Sequence, residues 1–224
     1  MSLIVFDMDG TLLDTRIDIT ISVNYVRMKN HALPPLTQEQ VVEYINRDER
    51  NLPQLFYGTE TPDPRDRKLF RRHYLQQCTK HLRLFSGVET MLESLRRAGI
   101  PMAVATNASS LFARQMLEAA GIAHYFYAVA GADTTGTSKP DPSMLHFLMR
   151  QIGFDPQKDR GYLLGDSGKD MEAARRAGLV PLYAAWGYTN GSCKADRSLQ
   201  TPEALFKILS MPLSTFKEES RQCN

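Results

Sequence analysis

Two aspartates near the start of the chain have the spacing of a metal and phosphate site. Asp7 and Asp9 follow a short apolar run, and Gly10 comes directly after them. Residues two apart on a strand point to the same side, so both carboxylates are expected to face a site beyond the strand end. Carboxylates this close repel each other unless a cation or a proton lies between them. Mg²⁺ suits this position because it takes oxygen ligands from carboxylates and phosphates.

A second acidic pair, Asp166 and Asp170, follows another apolar run later in the chain. Asp166 ends the predicted strand, and Asp170 lies one helical turn further on, so both side chains can face one site. If the two predicted strands are parallel neighbours, these carboxylates can meet Asp7. Together they would complete a shell of oxygen ligands for the cation.

Three further residues are candidates for holding phosphate. Thr106 and Asn107 end a third apolar run and begin a predicted helix, where a hydroxyl and free amide groups form an anion site. Lys139 precedes a Pro-Asp-Pro sequence and another predicted helix. A lysine beside aspartates can neutralise the negative charge that develops on a phosphoryl group.

The elements that carry these residues alternate between buried strands and helices. Short runs of consecutive apolar residues are typical of strands buried on both faces of a parallel sheet. Segments with helical periodicity lie between them and end at glycines, which often terminate helices. The alternation predicts a doubly wound α/β, Rossmann-like parallel sheet of about five strands, with its chemistry at the carboxyl ends of the strands. The predicted strands are 3–6, 102–105, 128–130, 162–164 and 181–185, and the predicted helices are 87–98, 109–120, 142–152 and 170–177.

One connection is far too long for a simple loop. Loops between a strand and the next helix usually have about 2–6 residues, whereas residues 15–84 separate the first strand from the first core helix. This segment has helical periodicity interrupted by prolines, so we expect an inserted α-helical cap domain over the strand ends. The core would then comprise residues 1–14 and 85–210, and the polar tail at 211–224 is expected to fray.

Composition argues against several classes of function. The 224 residues include 27 basic and 25 acidic side chains, and this balance gives no basis for binding nucleic acid or an anionic membrane. No apolar run is long enough to span a bilayer, and the first residues do not have the pattern of a signal peptide. Three scattered cysteines and dispersed histidines indicate neither a disulfide framework nor a zinc site. We expect a cytoplasmic enzyme, monomeric or homodimeric, that acts on a small-molecule phosphate ester.

Four motifs occur in an order that resembles a known superfamily of hydrolases. They are DMDGTLLDT at 7–15, VATN at 104–107, SKPDP at 138–142 and GDSGKDMEAARRAG at 165–178. Together they resemble the haloacid dehalogenase superfamily, and more closely its phosphoglycolate-phosphatase-like branch, which has a helical cap. The resemblance covers residues 3–15 and about 85–190 of the chain.

The resemblance implies a role in catalysis for each of five residues. Asp7 would be the nucleophile that forms an aspartyl-phosphate. Asp9 would protonate the leaving oxygen and then deprotonate the attacking water. Thr106, Asn107 and Lys139 would hold the phosphate. Phosphoryl transfer depends mainly on positioning and on neutralising charge, and these residues supply both.

The resemblance also implies a magnesium site. Mg²⁺ would be bound by the side chain of Asp7, the main-chain carbonyl of Asp9 and the carboxylate of Asp166. Asp170 would be a further ligand through water, or a residue that supports the direct ligands.

The cap is expected to select the substrate. Related caps often present a glycine-rich loop to the active site, whereas this chain has YINRDER at 44–50. Arg47 or Arg50 can form a bidentate pair with a substrate carboxylate, as a phosphoglycolate-like molecule would need. The alternative for both arginines is an ordinary solvated helix end.

Two other features are interpreted as structural. Thr15, followed by Asp18, is typical of the start of a helix, so we interpret Thr15 as an N-cap. Trp186, Gly187 and Tyr188 come after the last predicted strand. There we expect packing rather than a platform for substrate.

Three other functions remain as alternatives to hydrolysis. A phosphomutase of a sugar phosphate would use the same aspartyl-phosphate and pass the phosphoryl group to a sugar. A signalling receiver domain also places Mg²⁺, acidic residues, a threonine and a lysine around a phosphorylated aspartate, but on a middle strand and in a shorter chain. A non-catalytic protein of this fold would only bind a phosphorylated ligand. The prediction is a Mg²⁺-dependent phosphatase acting on a small-molecule phosphate monoester.

Overall fold

A parallel sheet lies at the centre of the structure. The computed structural model describes residues 2–47, 51–188 and 197–210. Within these ranges the strands are β1 (Ser2–Phe6), β2 (Leu13–Asp14), β3 (Arg83–Leu84), β4 (Met102–Ala105), β5 (Ala128–Ala130), β6 (Arg160–Gly165), β7 (Val180–Ala184) and β8 (Arg197–Leu199). Six of these described strands form one parallel sheet in the order β5-β4-β1-β6-β7-β8, and β2 pairs with β3 in a separate antiparallel ladder.

Helices cover both faces of the sheet and fill the long connection between β2 and β3. Over the same described ranges they are α1 (Arg16–His31), α2 (Gln38–Asn46), α3 (Leu52–Tyr57), α4 (Pro64–Gln77), α5 (Val88–Arg97), α6 (Ser110–Ala119), α7 (Ala132–Thr135), α8 (Ser143–Ile152), α9 (Gly168–Ala177) and α10 (Leu205–Leu209). Short 3₁₀ turns occur at Ala123–Tyr125 and Pro202–Ala204. The prediction of an α/β fold with a parallel sheet is confirmed.

The order of the strands decides where a site can form. Strand β1 lies between β4 and β6, and Phe6 is aligned with Val104 on one side and with Leu164 on the other. The chain winds away from β1 in one direction through β4 and β5 and in the other through β6 and β7. Such a reversal opens a crevice at the carboxyl ends of the strands, where open α/β sheets bind ligands.

The strand β8 was not predicted, and the expectation of about five strands was too low. This edge strand reads Arg197-Ser198-Leu199, and only Leu199 is buried. It runs parallel to β7 and aligns with it from Leu182 to Ala184. Edge strands are often short and carry charged residues. The sequence of β8 therefore contains no continuous apolar run that would indicate a strand.

Side chains of β1 supply hydrophobic contacts to both faces of the sheet. Ile4 and Phe6 are fully buried in the cluster that includes α5 and α6, whereas Leu3 and Val5 are fully buried in the cluster that includes α8 and α9. The alternation follows from the two-residue period of a strand. Burial on both faces explains why this strand has four consecutive apolar residues.

The first four helices pack around a small hydrophobic cluster of their own. Its buried members are Val23 of α1, Val41 of α2 and Phe56 of α3. The chain enters and leaves this region through β2 and β3, where Leu13 is aligned with Leu84 and Asp14 with Arg83. The helical character expected for the long connection is therefore present, while its treatment as a separate cap domain remains a prediction.

Local capping fixes the ends of two of these helices. The hydroxyl of Thr37 accepts a hydrogen bond of 3.3 Å from the Gln40 amide, and the Gln40 side chain in return accepts one of 2.9 Å from the Thr37 amide, which forms a capping box. Asp63 caps α4 just before Pro64, a residue suited to the first turn. Among the helices described, none combines the length and apolarity needed to cross a bilayer.

Candidate active site

Asp7 lies at the carboxyl end of the central strand. Its amide donates a 2.8 Å hydrogen bond to the carbonyl of Leu164, which continues the pairing of β1 with β6 by one residue. Gly10 turns the chain away with a φ of 85°, in the left-handed region that favours glycine. A side chain at this position would also collide with the carboxylate of Asp166 and the ring of Tyr188. Gly10 is therefore needed for both the turn and the close approach.

A buried lysine contacts Asp7 directly. The Nζ atom of Lys139 lies 2.5 Å from Asp7 Oδ1, 2.6 Å from Asp170 Oδ1 and 2.6 Å from the carbonyl oxygen of Ala105. Burial alone would lower the pKa of this ammonium group, but the charges of Asp170 and Asp7 outweigh burial and raise its pKa. Lys139 is consequently a fixed positive charge beside the Asp7 carboxylate.

Asn107 holds the main chain of Lys139 in place. Its side-chain amide donates a 3.2 Å hydrogen bond to the Lys139 carbonyl, and its side-chain oxygen accepts one of 2.8 Å from the Lys139 amide. We expected Asn107 to bind phosphate. Its side chain bonds to the main chain of Lys139 through both its nitrogen and its oxygen, and its role in binding phosphate stays a prediction.

Thr106 lies at the end of β4, beside Asp9. Its hydroxyl donates a 3.3 Å hydrogen bond to Asp9 Oδ2 and accepts one of 3.1 Å from the Ala108 amide. The Thr106 amide donates a hydrogen bond to the carbonyl of Ala130, which anchors the main chain of Thr106 at the end of the sheet. The predicted position of Thr106 at the strand end, next to the aspartates, is confirmed.

Asp166 and Asp170 complete a group of buried carboxylates. Single oxygen atoms of Asp7, Asp166 and Asp170 all lie within 4.8 Å of one another. Asp170 Oδ2 also accepts hydrogen bonds from the amide (3.1 Å) and hydroxyl (2.5 Å) of Ser167, which caps α9. We predicted the side chains of Asp7 and Asp166 and the main-chain carbonyl of Asp9 as ligands, with Asp170 as a further ligand or a supporting residue. The cluster of side-chain oxygens consists of Asp7, Asp166 and Asp170.

The cluster has more negative charge than its single lysine offsets. Burial, followed by the charge of Asp170, raises the pKa of Asp166 to about 7. Burial likewise raises the pKa of Asp7 well above its usual range, against the effect of Lys139. Three buried carboxylates beside one ammonium group have an excess of two negative charges when all are ionised. The donor set therefore fits a divalent cation with a preference for oxygen ligands.

Asp9 is held by two hydroxyl groups. Thr15 donates a 2.7 Å hydrogen bond to Asp9 Oδ1, opposite the bond from Thr106 to Oδ2. Burial raises the pKa of Asp9, and the hydrogen bond from Thr15 is the largest influence opposing that rise. Thr15 is the N-cap residue of α1, as interpreted, but its side chain makes no capping bond to the helix. The hydroxyl bonds to Asp9 instead.

Tyr188 links this region to Asp166. Its amide donates a 2.7 Å hydrogen bond to Asp166 Oδ2, and its hydroxyl accepts one of 2.6 Å from the Thr15 amide. Its ring lies under the guanidinium group of Arg16, 5.2 Å from the ring centre. Tyr188 was expected only to pack at the strand end, but it also lines the cavity above the aspartates.

A cavity of about 550 Å³ lies between the aspartates and helices α1–α4. Asp7, Asp9, Thr106 and Lys139 form part of its floor, and side chains such as Phe56 of α3 form part of the opposite wall. The described elements thus enclose a volume suited to a small ligand.

Of the two arginines expected to select the substrate, only Arg47 belongs to the described residues. Arg47 lies outside the set of lining residues; it pairs with Glu43 at 2.6 Å and stacks on the ring of Tyr44. Arg50, like the tail at 211–224, falls outside the described residues. A role for Arg47 or Arg50 in binding a carboxylate remains a prediction, and the side-chain position of Arg47 does not support it.

A lysine of the core contacts the end of α2. Lys169 Nζ donates hydrogen bonds to the carbonyls of Ile45 (3.2 Å) and Arg47 (2.8 Å). Carbonyl groups at a helix C-terminus attract cations because of the helix dipole. Lys169 adjoins Asp170 in the sequence, so this contact connects the helix carrying Asp170 to the helices above the cavity.

The candidate residues at the strand ends were identified from the sequence, whereas three residues that reach the site from elsewhere were not. Thr15 and Lys169 lie within two of the quoted motifs, but no local pattern distinguishes them from ordinary helix-start and surface residues. Tyr188 had a usable signal, since it follows a strand whose carboxyl end faces the crevice.

Comparisons with known proteins agree with this geometry. The sequence model of a family described as haloacid dehalogenase-like hydrolases matches residues 4–183. The chain is 29% identical over 217 residues to a phosphoglycolate phosphatase of Aquifex aeolicus, covering 96% of this chain and 100% of that protein. It is also 29% identical over 218 residues to an N-acetylmuramic acid 6-phosphate phosphatase of Pseudomonas aeruginosa, covering 94% and 95% respectively.

A solved structure has the same fold over nearly its whole length. It is the crystal structure of a predicted phosphoglycolate phosphatase from Haemophilus somnus, with a TM-score of 0.80 and 27% identity. The match covers 93% of this chain and 97% of that one.

Proposed function

The chain belongs to the haloacid dehalogenase-like hydrolase family and is a phosphatase, and we propose that it hydrolyses a small phosphate monoester through a phosphorylated Asp7. The observation that carries this proposal is the position of Asp7. This carboxylate ends the central strand, contacts the buried ammonium group of Lys139 and lines the floor of the cavity.

The first half of the proposed reaction uses Asp7 and Asp9. A carboxylate oxygen of Asp7 attacks the phosphorus atom, and the bond from phosphorus to the ester oxygen breaks. Asp9 gives its proton to that oxygen, so the alcohol leaves neutral. Burial raises the pKa of Asp9, which favours the protonated form that this step requires.

The second half releases phosphate and restores both aspartates. Asp9, now ionised, takes a proton from a water molecule, whose oxygen attacks the phosphorus of the aspartyl-phosphate. The bond from phosphorus to the Asp7 oxygen breaks, and inorganic phosphate forms. Lys139 and the Thr106 hydroxyl would hold the phosphoryl oxygens, because a fixed ammonium group and a hydroxyl stabilise the charge that develops on them.

The buried carboxylates would hold Mg²⁺. Asp7, Asp166 and Asp170 supply side-chain oxygens for it, and the carbonyl of Asp9 remains a predicted ligand. When bound, the cation would neutralise phosphoryl charge and help orient the phosphate. Asp7 would then bind the cation and also act as nucleophile. The ammonium group of Lys139 holds the Oδ1 atom of Asp7 in a fixed position.

The direct test is a phosphate-release screen over a panel of phosphorylated metabolites, with and without Mg²⁺, on the wild type and on Asp7→Asn. We expect phosphate release that requires both Mg²⁺ and Asp7. Turnover that persists in Asp7→Asn or with excess chelator would contradict the mechanism. Absence of release from every ester would favour a non-catalytic binding protein.

Two additions to the panel address the substrate and the mutase alternative. Relatives named for phosphoglycolate and for N-acetylmuramic acid 6-phosphate are equally similar to this chain, so both esters belong in the screen. Product analysis with hexose phosphates would detect transfer to a sugar. A cytoplasmic location and a monomeric or homodimeric state remain predictions.

A further inference from the structure

The walls of the cavity above the aspartates differ in character from its floor. The floor carries the carboxylates and Lys139, whereas helices α1–α4 contribute mainly apolar and aromatic side chains. These include Ile19, Val23, Val42, Leu52, Phe56 and Phe70. The phosphoryl group belongs on the polar floor, so the remaining part of the substrate must lie against these apolar walls.

Aromatic rings continue this apolar surface from α4 to the core. Phe70 stacks on Tyr74 with ring centres 5.2 Å apart, and Tyr74 meets Phe112 of α6 edge to face at 5.1 Å. All three residues line the cavity. Tyr74 and Phe112 are almost completely buried, which fixes the rings in place. Such a surface gains free energy by removing apolar groups from water, and it offers little to a charged group.

Charges in the same wall do not suit a second negative group on the substrate. Arg16 is paired with Asp14 through two hydrogen bonds, and Arg67 is exposed. Asp66 also lines the cavity as a buried carboxylate, held by Asn30 at 2.7 Å and His31 at 2.8 Å. Lys169 of α9 is a buried cation that also lines the cavity, and its ammonium group donates to the carbonyls of Ile45 and Arg47. Among the described lining residues the cations are therefore Lys139 on the floor, Lys169 with these partners, and the two arginines, neither of which is buried.

We propose that this cavity takes the phosphate monoester of an uncharged alcohol with a large apolar or aromatic body, in preference to the phosphate of a short acid. The inference rests on the proposed phosphatase function and names its substrate class. A cavity of about 550 Å³ has room for such a body. A short acid such as phosphoglycolate would fill little of this volume and would contact little of the apolar wall.

The test compares ethyl, butyl and hexyl phosphate with 2-phosphoglycolate, with Mg²⁺ present. The alkyl esters have the same kind of leaving group, so the chain length changes burial and little of the chemistry. The expected result is that kcat/KM rises by up to about fourfold for each added methylene, and that hexyl phosphate exceeds phosphoglycolate. A flat or falling series, or a preference for phosphoglycolate, would overturn the substrate class while leaving the phosphatase function intact.

Two variants test whether the preference for longer alkyl esters arises from the cavity wall. Val42→Asp puts a charge on the wall and should reduce the ratio of kcat/KM for hexyl to ethyl phosphate at least about tenfold. Ile21→Asp, at an exposed position of α1 that does not line the cavity, should leave the ratio unchanged. An unchanged ratio in Val42→Asp would overturn the proposal. If Val42→Asp does not fold, the wild-type series decides alone, and failure to hydrolyse any ester would refute the phosphatase function itself.

Discussion

The hydroxyl of Thr15 donates a 2.7 Å hydrogen bond to the carboxylate of Asp9. Thr15 directly precedes α1, the first of the helices above the cavity. The residue proposed as general acid and base is therefore held by the segment through which the chain enters those helices. This hydrogen bond opposes the rise that burial causes in the pKa of Asp9.

Removing this hydroxyl should alter the pH profile of the reaction. The hydrogen bond from Thr15 lowers the pKa of Asp9 against the effect of burial, so Thr15→Val should raise that pKa. We expect kcat to fall about tenfold and the limb of the pH profile that reports Asp9 to move to higher pH. Steady-state kinetics across the pH range would measure both. Thr15→Ser keeps the hydroxyl and should restore most of the activity; equal losses in the two variants would contradict a role for the hydrogen bond.

Lys139 should be essential for chemistry rather than for folding alone. Lys139→Met keeps the length of the side chain but removes the charge that Asp7 and Asp170 share. We expect kcat to fall by about 10²–10³, the cost of losing one group that stabilises transition-state charge. Lys158→Met is the matched control, because Lys158 is largely exposed and pairs only with Asp155 among the ion pairs of the described residues. Activity of Lys139→Met within tenfold of wild type would show that the lysine is dispensable.

The raised pKa of Asp166 predicts how stability depends on pH in metal-free protein. The pKa is about 7 in the folded chain, above its ordinary value of 3.8, so folding favours the protonated acid. This contribution is complete below the ordinary pKa and is lost as pH rises through about 7. Asp166→Asn avoids that loss and should gain a few degrees in Tm over wild type as pH rises from about 5 to 7.5.

Thermal melts with chelator would measure this difference at each pH. Adding Mg²⁺ should reverse it, because a cation that binds only the folded wild type raises its stability. A Tm difference that stays constant with pH would mean that Asp166 does not titrate as described.

Lys169 should affect substrate binding more than chemistry. Its bonds to the carbonyls of Ile45 and Arg47 hold the end of α2 against the core. Lys169→Met should therefore raise KM several-fold and change kcat less, since α2 forms part of the cavity wall. Lys207→Met is the control, because Lys207 is an exposed residue of α10 and its substitution should leave KM and kcat unchanged. A fall in kcat with KM unchanged would instead place Lys169 in the chemical step.

The candidate residues that the structure places together at the strand ends share one feature in the sequence, a position at the end of an apolar run. Asp7, Thr106 and Asp166 each follow such a run, and parallel strands bring these ends to one edge. Nothing local to Thr15 indicates that its hydroxyl reaches Asp9, because that contact depends on the path of the chain through β2. The link from Tyr188 to Asp166 likewise depends on how the end of β7 folds back over Gly10.

The helical segment between β2 and β3 was the least predictable part of the chain for a related reason. The helical periodicity of residues 15–84 indicates which side chains are apolar, but it does not distinguish those that pack together from those that line a cavity. Val23 lies in the hydrophobic cluster and also lines the cavity, and its neighbour in that cluster, Val41, does not. Arg47 illustrates the same limit for charge, since its ion pair with Glu43 arises from ordinary helical spacing.

During turnover, Asp7 is predicted to carry the phosphoryl group. Rapid chemical quench with a ³²P-labelled substrate from the screen, followed by mapping of the protein-bound label by mass spectrometry, would detect this intermediate. We predict an acid-stable, hydroxylamine-sensitive label on Asp7 that forms and decays fast enough to account for turnover, and no label on Asp7→Asn. Label on another residue, or turnover by Asp7→Asn at a rate near that of wild type, would contradict it.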